Sequence, residues 1–233
     1  MATSHQHTCY RADVRCLGIE TSSRQGSVAL VEADEVVSLR IHHELNRHGE
    51  RMLPLVEALL ADAGWSPSSL DRIGVGVGPG SFTGLRIGVA LAQGVALGLD
   101  RPVVGVSSLL AMAFAAPPSD LPTLAVLDAR RDEYFVALFS SAGTELFGPR
   151  TISQTGAEKA LVDLVGGSFR SVGLPAVGWV NGFQSELTDL PSAAAAGHLA
   201  ARLDPAEHPA LPAYVRAADA IKPNLPPSPL QPV

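Results

Sequence analysis

Residues 74–88 read GVGVGPGSFTGLRIG, and this stretch decides the fold. Its first half alternates apolar residues with glycines up to Val77, which is typical of a strand that another backbone approaches closely. Pro79 breaks this strand, and apolar residues at helical spacing follow from about Thr83. A strand, a glycine-lined turn and a helix start favour a ligand or partner site, because the first helical N–H groups have no partners within the helix.

The helix predicted over Thr83–Leu99 carries small residues along one side. This small-residue stripe recurs at every fourth position: Gly84, Gly88, Ala92 and Ala96. Gly94 and Gly98 form a second strip. A glycine inside a helix costs about 1 kcal/mol relative to alanine, and close packing against the helix offsets this cost. The stripe predicts either packing within the chain or a subunit interface, and the sequence favours neither.

Strands and helices also alternate on both sides of this stretch. Hydrophobic periodicity predicts strands at Val14–Ile19, Ser27–Glu32, Glu35–His43, Arg72–Val77 and Val103–Val106. It predicts helices at Arg47–Ala63 and Ser107–Ala115. The first strand ends on Glu20, and the polar turn Thr21–Gly26 suits either a phosphate cradle or a plain hairpin. His48 has no metal-binding partner at the i+4 position, so we expect it to be exposed near a helix start.

A second hairpin repeats the first at a fixed offset. Val28-Ala29-Leu30 follow Glu20 by eight to ten positions, and Val136-Ala137-Leu138 follow Asp128 by the same spacing. In both copies an apolar strand ends on a carboxylate before a polar turn. Two related lobes built in this way are similar to the actin-like (ASKHA, ribonuclease H-like) superfamily of ATPases and sugar kinases. The predicted fold class is therefore α/β, with two actin-like lobes of mixed β-sheet flanked by helices.

The repeat divides the chain into four parts. We expect a flexible N-terminal extension at 1–13, one lobe at 14–106, a second lobe at 107–216 and a proline-rich disordered tail at 217–233. In the second lobe a strand is predicted at Val177–Val180, a helix at Ser192–Leu203 and a short element at Ala213–Arg216. His5, His7 and Cys9 alternate in the extension without a fourth ligand, so no metal site is predicted there.

Bulk composition limits the function. The chain is 46% hydrophobic and 17% charged, as expected for a globular protein. The formal net charge of -6 argues against a nucleic-acid binder that acts alone. Met1–Asp13 shows no secretory signal, and the apolar run Ile87–Leu99 is shorter than the roughly 20 residues of a membrane span. We expect a cytoplasmic protein without a membrane segment.

Residues 78–88, GPGSFTGLRIG, resemble the signature of the TsaB (YeaZ) family. The resemblance continues through AQGVALG at 92–98 and GVSSL at 105–109. It also includes GIETS at 18–22, LDAR at 127–130 and PAYVR at 212–216. It covers roughly Val14–Arg216.

This resemblance implies a non-catalytic bacterial subunit that requires no cofactor. Such a subunit supports a related TsaD-type protein and, through the complex, a TsaE-type ATPase. Together they form N6-threonylcarbamoyladenosine next to the anticodon of tRNAs that read codons starting with A, and the subunit contacts tRNA only indirectly. It also implies a helix-mediated interface, used for a homodimer when the partner is missing, at Arg51, Leu55, Leu85, Gly88, Val89, Ala92 and Ala96.

Two departures from active relatives agree with a role without turnover. The catalytic relative has a His-x-x-x-His metal pair, and the aligned positions here are Ser108 and Met112. The turn after Asp128 has arginines where an active ATPase has glycines. The alternative hypothesis is a weak nucleotide-binding protein or ATPase that uses the remnant of a nucleotide loop: Glu20, Thr21, Ser22, Gly80, Ser81 and Thr83. The loop is not a Walker motif, because no Gly-Lys-Ser/Thr follows, and it fits neither GxGxxG nor GxSxG.

Overall fold

A computed structural model describes residues 14–44, 47–176 and 189–215. Five strands form the first sheet in the order β3-β2-β1-β4-β5. They are β1 (Arg15–Glu20), β2 (Gly26–Glu32), β3 (Glu35–His42), β4 (Arg72–Gly78) and β5 (Val103–Ser107). β1 pairs antiparallel with β2 and parallel with β4, so the sheet is mixed.

Helices cover both faces of the first sheet. They are α1 (His48–Ala63), α2 (Phe82–Leu99) and, from late in the chain, α5 (Ala193–Ala200). α1 and α2 pack on the face that carries Leu17, Ile19 and Leu30. α5 packs on the opposite face, which carries Cys16 and Ala29. The apolar residues of β1 and β2 therefore enter two cores, one on each side of the sheet.

Four strands form the second sheet in the order β8-β7-β6-β9. They are β6 (Thr123–Arg130), β7 (Glu133–Phe139), β8 (Glu145–Ser153) and β9 (Arg170–Val172). One face of this sheet packs on α3 (Ser108–Ala115), and the other packs on α4 (Ala157–Val165). Two short 3-10 turns, Pro67–Ser69 and Leu174–Ala176, complete the described elements.

Serine side chains start three of the helices. Ser81, Ser107 and Ser192 accept hydrogen bonds from the backbone N–H three residues on, at 3.2, 3.3 and 3.3 Å. Such caps satisfy one of the first helical N–H groups. Gly64 ends α1 with φ +66°, a conformation that glycine adopts without strain.

The mixed α/β fold and both hairpins predicted from the sequence are confirmed. β6 continues to Arg130, and α5 ends at Ala200, three residues before its predicted end. The predicted element at Ala213–Arg216 is irregular over its described part, 213–215. The N-terminal extension, the strand at Val177–Val180 and the tail at 217–233 lie outside the described residues.

α5 packs on the first sheet although the predicted boundary groups it with the second lobe. Gly18 and Gly74 make this packing possible, because a Cβ at either would overlap a backbone carbonyl oxygen of α5. The segment after α5 also returns to the first sheet, where Gly105 N donates to His208 O at 2.8 Å and Ala213 N donates to Val77 O at 2.7 Å. The lobe boundary itself stays a prediction.

Candidate functional site

A cleft of about 590 Å³ lies between the two hairpin turns. Ser22–Arg24 after β1 and Pro79–Thr83 before α2 line one side. Leu127–Arg130 at the end of β6 lines the other, and Ala213–Val215 also borders the cleft. The cleft is therefore lined by both turns whose counterparts in active relatives bind phosphate, as expected from the sequence.

Thr21 and Ser22 sit directly on the glycines of the opening stretch. A Cβ on Gly84 or Gly88 would lie less than 3.0 Å from a Thr21 oxygen, and one on Gly80 would overlap the Ser22 carbonyl oxygen. Thr21 Oγ1 donates to Gly84 O at 2.8 Å, and Ser81 N donates to Ser22 O at 2.6 Å. These glycines therefore admit the β1–β2 turn, so packing within the chain accounts for the first two positions of the small-residue stripe.

This packing changes the predicted interface residues. Five of the seven are buried within the chain: Leu85, Gly88, Val89, Ala92 and Ala96. Their side of α2 faces β1 and β4. Leu55 is half-buried against the same core, while Arg51 is exposed and pairs with Glu44 at 2.7 Å. The helix-mediated interface stays a prediction.

The outer sides of α1 and α2 carry exposed apolar and small residues. We call this the α1–α2 surface, and it comprises Leu53, Ala90, Gly94, Leu97 and Gly98. Leu97 is 85% exposed and Leu53 is 48% exposed. No atom would lie within 4 Å of a Cβ at Gly94 or Gly98, so the second glycine strip faces open space.

The remnant loop is assembled, and several of its backbone N–H groups are bonded within the chain, whereas Ser22 Oγ is buried without a partner. Ser22 N donates to Glu20 Oε1 at 2.6 Å, and Gly84 N donates to Ser81 Oγ at 3.2 Å. Ser81 N is also engaged, as described above, whereas Thr83 is exposed at the helix start. Several donors that would hold a phosphate in such a loop are therefore already satisfied.

Glu20 is fully buried beneath this turn. Its carboxyl occupies the space that the missing side chain of Gly76 leaves, and Ser108 Oγ donates to Oε2 at 3.4 Å. Burial raises the pKa of Glu20 above its usual value, and the hydrogen bonds from Ser22 and Ser108 oppose this shift. The Glu20 carboxyl is not accessible to solvent in the cleft, and its contacts are all with the protein interior.

The second turn reaches a tight geometry without glycine. Arg130, Arg131 and Asp132 all have φ between +54° and +61°, which side chains rarely adopt. Arg130 N donates to Asp128 Oδ1 at 2.7 Å and supports the turn. Each such residue costs on the order of 1 kcal/mol. The predicted lack of glycines is thus accompanied by local backbone strain.

A pair of buried histidines connects the first turn to α1, and the prediction of an exposed His48 is wrong. His48 Nδ1 lies 3.0 Å from His42 Nε2, and His48 Nε2 lies 3.3 Å from the Ser23 carbonyl oxygen. Because that oxygen only accepts, we assign the neutral His48 proton to Nε2, and His42 Nε2–H then donates to His48 Nδ1. His42 Nδ1 is left buried without a partner. Gly26 is the residue of the sequence that could have indicated this histidine pair. It lies opposite His42, and its missing side chain leaves room for the His42 imidazole.

Burial lowers the pKa of His42 below its usual value, and the neighbouring His48 ring adds to this effect. Glu44 opposes the shift, while Arg51 and His43 reinforce it. In the described parts of the chain, no three His, Cys, Asp or Glu side chains gather closely enough to hold a metal ion.

α2 is one helix that is long and apolar enough to cross a membrane, with a mean hydropathy of 1.4. Core helices of water-soluble proteins meet the same criteria. One third of α2 is buried within the structure, on the side that faces the sheet.

The chain is similar to proteins whose names refer to tRNA threonylcarbamoyladenosine biosynthesis. The family model TsaD, tRNA N6-adenosine threonylcarbamoyltransferase, matches residues 42–159, which is half of the chain. The Escherichia coli protein TsaB is 41% identical over 128 residues, covering 53% of this chain and 54% of TsaB. The chain thus spans about half the length of this relative.

Two further relatives match most of the chain. An uncharacterised Mycobacterium tuberculosis protein is 33% identical over 208 residues, with 88% of this chain and 92% of that protein covered. The structure of YeaZ from Pseudomonas aeruginosa superposes with a TM-score of 0.69 at 28% identity, covering 86% of this chain and 99% of YeaZ.

Proposed function

This chain belongs to the TsaB (YeaZ) family, and from that premise we propose that it takes part in the biosynthesis of threonylcarbamoyladenosine in tRNA. Its role is that of a non-catalytic subunit. It holds a TsaD-type catalytic homologue in a competent form, and a TsaE-type ATPase and the tRNA join through that homologue. The place of action is the cytoplasm.

The exposure of the α1–α2 surface is the observation that carries this proposal. Leu97 on the outer side of α2 is 85% exposed, so it leaves apolar surface in contact with water. The adjacent Ala90, Gly94 and Gly98 are small, so a partner helix approaches α2 closely at this side. Without the catalytic homologue, a second copy of the chain covers the same surface.

The residues at the aligned metal positions support the non-catalytic role. Ser108 is buried and bonded to Glu20, and Met112 is buried in the core between α3 and the second sheet. Both side chains have structural contacts and neither faces the cleft. Glu20 is itself sealed beneath the β1–β2 turn.

Replacement of Leu97 tests the proposal directly. We expect Leu97→Asp to weaken binding of the TsaD-type homologue by at least about tenfold, because it puts a charge at the centre of an apolar contact. Leu146→Asp is the matched control, since Leu146 is 54% exposed on β8 of the second sheet. Binding is measured by isothermal titration calorimetry, and tRNA modification by the reconstituted complex is measured in parallel.

Unchanged binding of Leu97→Asp would refute the proposed surface. Modified tRNA formed at the full rate without this chain would refute the proposed role, whatever the binding result. Formation of modified tRNA by this chain without its homologue would refute the non-catalytic assignment.

A further inference from the structure

The cleft between the two hairpin turns gathers basic and aromatic side chains from four separate segments. Arg24 follows β1, Arg130 ends β6, Phe82 starts α2, and Tyr214 belongs to the segment after α5. The sequence alone does not show this cluster, because only the fold brings the four segments together. Exposed cations combined with aromatic rings along one groove are typical of proteins that bind single-stranded nucleic acids.

Two arginines at the cleft are free to bind an anion. Arg24 and Arg130 are exposed, and each lies on one of the two turns that border the cleft. Within the described residues neither guanidinium makes a hydrogen bond, an ion pair or a ring contact. Arg40, by contrast, pairs with Asp62 of α1. Arg130 also has a φ of +61°, and strained residues of this kind cluster at functional sites.

The aromatic wall of the cleft is fixed in place by a third arginine. The Phe82 and Tyr214 rings have centroids 4.9 Å apart and are tilted by 33°. The Arg86 guanidinium lies 3.8 Å from the centre of the Phe82 ring, and its Nε donates to Tyr214 Oη at 3.0 Å. Tyr214 is nevertheless 45% exposed. The ring is therefore held in one orientation with part of its surface open for a base to stack on.

Among the described residues that line the cleft, two have buried polar atoms without hydrogen-bond partners. These atoms are Ser22 Oγ and Asp189 Oδ1. A nucleotide carries the groups that they require, because base amino groups donate to a carboxylate and ribose hydroxyls bond to a serine. Asp128 also lines the cleft, and the two carboxylates repel a phosphate placed inside it. A phosphate is therefore held at the exposed arginines, with the base in the interior.

We propose that this cleft binds one unpaired nucleotide of an RNA strand, with its phosphate between Arg24 and Arg130 and its base against Tyr214. The inference rests on the proposed function, in which the TsaD-type homologue brings tRNA to the complex. It adds a direct contact between that tRNA and this chain. A volume of about 590 Å³ is that of a pocket for one small ligand, so the cleft admits an unpaired nucleotide and excludes a duplex.

The contact is weak for the isolated chain and stronger in the complex. The net charge of -6 opposes the approach of RNA, and only two phosphate-binding cations are available at the cleft. In the complex, the homologue holds the tRNA close, so that the second contact forms at a high effective concentration. A free nucleotide has no such tether, and it binds much more weakly than the strand.

Removal of the two free arginines tests the phosphate contact. Fluorescence anisotropy measures the binding of labelled tRNA to the complex at saturating homologue, between about 50 and 200 mM salt. We expect Arg24→Gln with Arg130→Gln to weaken this binding at least about tenfold at the lowest salt. The slope of log K against log salt should become shallower by about 1.4, since each phosphate contact in a single strand contributes about 0.7.

The matched control removes the same charge outside the cleft. Arg101→Gln with Arg150→Gln changes two exposed arginines that do not line the cleft, so the affinity and the salt slope should stay close to those of the unmodified chain. Calorimetry of homologue binding should be unchanged for both double variants. Equal effects of the two double variants on tRNA binding, or an unchanged salt slope in the first, would overturn the proposal.

Two substitutions of Tyr214 separate base stacking from a structural role. Tyr214→Phe keeps the ring and loses only the hydrogen bond to Arg86. We expect it to bind tRNA within about twofold of the unmodified chain, whereas Tyr214→Leu should bind at least about fivefold more weakly, because a base stacks on the aromatic ring. Equal losses in both variants would show that the residue acts only through its hydrogen bond and would overturn the stacking contact.

Ultraviolet crosslinking of the isolated chain tests the site without the homologue, so its result does not depend on the proposed function. A 12-nucleotide single-stranded RNA is irradiated with the full chain at low salt, and the crosslinked peptides are identified by mass spectrometry. We expect crosslinks at the peptides that contain Phe82 or Tyr214, and we expect an RNA duplex not to compete. Crosslinks confined to other peptides, no crosslink, or equal competition by AMP at the same nucleotide concentration would overturn the proposal.

Discussion

Gly88→Ala is expected to destabilise the protein although alanine is the better helix former. The added Cβ would lie less than 3.0 Å from Thr21 Oγ1, and a buried side chain at the end of β1 has to move. Overpacking of this kind costs about 1–3 kcal/mol, and loss of the Thr21–Gly84 hydrogen bond costs about 1 kcal/mol more. The gain in helix propensity is about 1 kcal/mol. The free energy of unfolding should therefore fall by about 1–3 kcal/mol.

Gly94→Ala is the matched control in the same helix. A Cβ there meets no atom within 4 Å, so only the gain in propensity remains. We expect this variant to be more stable by about 1 kcal/mol. The two substitutions are chemically identical and six positions apart in α2. Their difference of about 2–4 kcal/mol measures the close packing of the β1–β2 turn against this helix.

Urea unfolding at equilibrium, followed by circular dichroism, measures both values. If Gly88→Ala were as stable as Gly94→Ala, the β1–β2 turn would not pack on α2 as described. A double variant, Thr21→Ala with Gly88→Ala, provides the internal check, because removal of Oγ1 makes room for the new methyl group. We expect the double variant to recover at least about 1 kcal/mol relative to the sum of the single changes.

Three further results are expected. The pKa of Glu20 is raised, so its contribution to stability is present below pH 4.5 and is lost as pH rises through the folded-state pKa. Glu20→Gln should therefore flatten the pH dependence of the unfolding free energy above pH 4.5, and an unchanged slope would contradict this. The pKa of His42 is lowered, so its contribution to stability is present above pH 6.5 and is lost as pH falls through the folded-state pKa. His42→Gln should therefore reduce the loss of unfolding free energy at acidic pH, measured by the same urea unfolding in a series of buffers. Calorimetry of the isolated chain with ATP, ADP and Mg²⁺ should show no binding heat, because the backbone N–H groups of Ser22, Ser81 and Gly84 are bonded within the chain. A saturable heat signal would instead support the alternative of a nucleotide-binding protein.

Periodicity was sufficient to predict most elements, because apolar spacing depends only on neighbours in the sequence. The strand–turn–helix at 74–88 and the repeated hairpin predicted the mixed α/β fold and both hairpins. The role of the small-residue stripe was not predictable in this way. Glycine at every fourth position shows that something approaches closely, but whether this is Thr21 or a partner depends on where another segment lies.

The histidine pair illustrates the same limit at a single residue. His48 looked exposed because the helix that contains it offers no polar partner. Its environment comes from His42 on β3 and from Ser23 in the turn. Both contacts form only when the sheet and α1 pack together, so they cannot be predicted from the sequence of α1 alone.

The late position of α5 in the sequence also affects how the chain folds during synthesis. Residues through Ser107 complete the strands of the first sheet, but the helix that covers one face ends at Ala200. At about 5–20 residues per second, the ribosome needs roughly 5–20 s to make the intervening segment. During that interval the Cys16 and Ala29 face of the sheet has no cover from α5. The nascent chain is therefore most prone to aggregation after β5 emerges, and a chaperone that binds extended apolar segments would act in that interval.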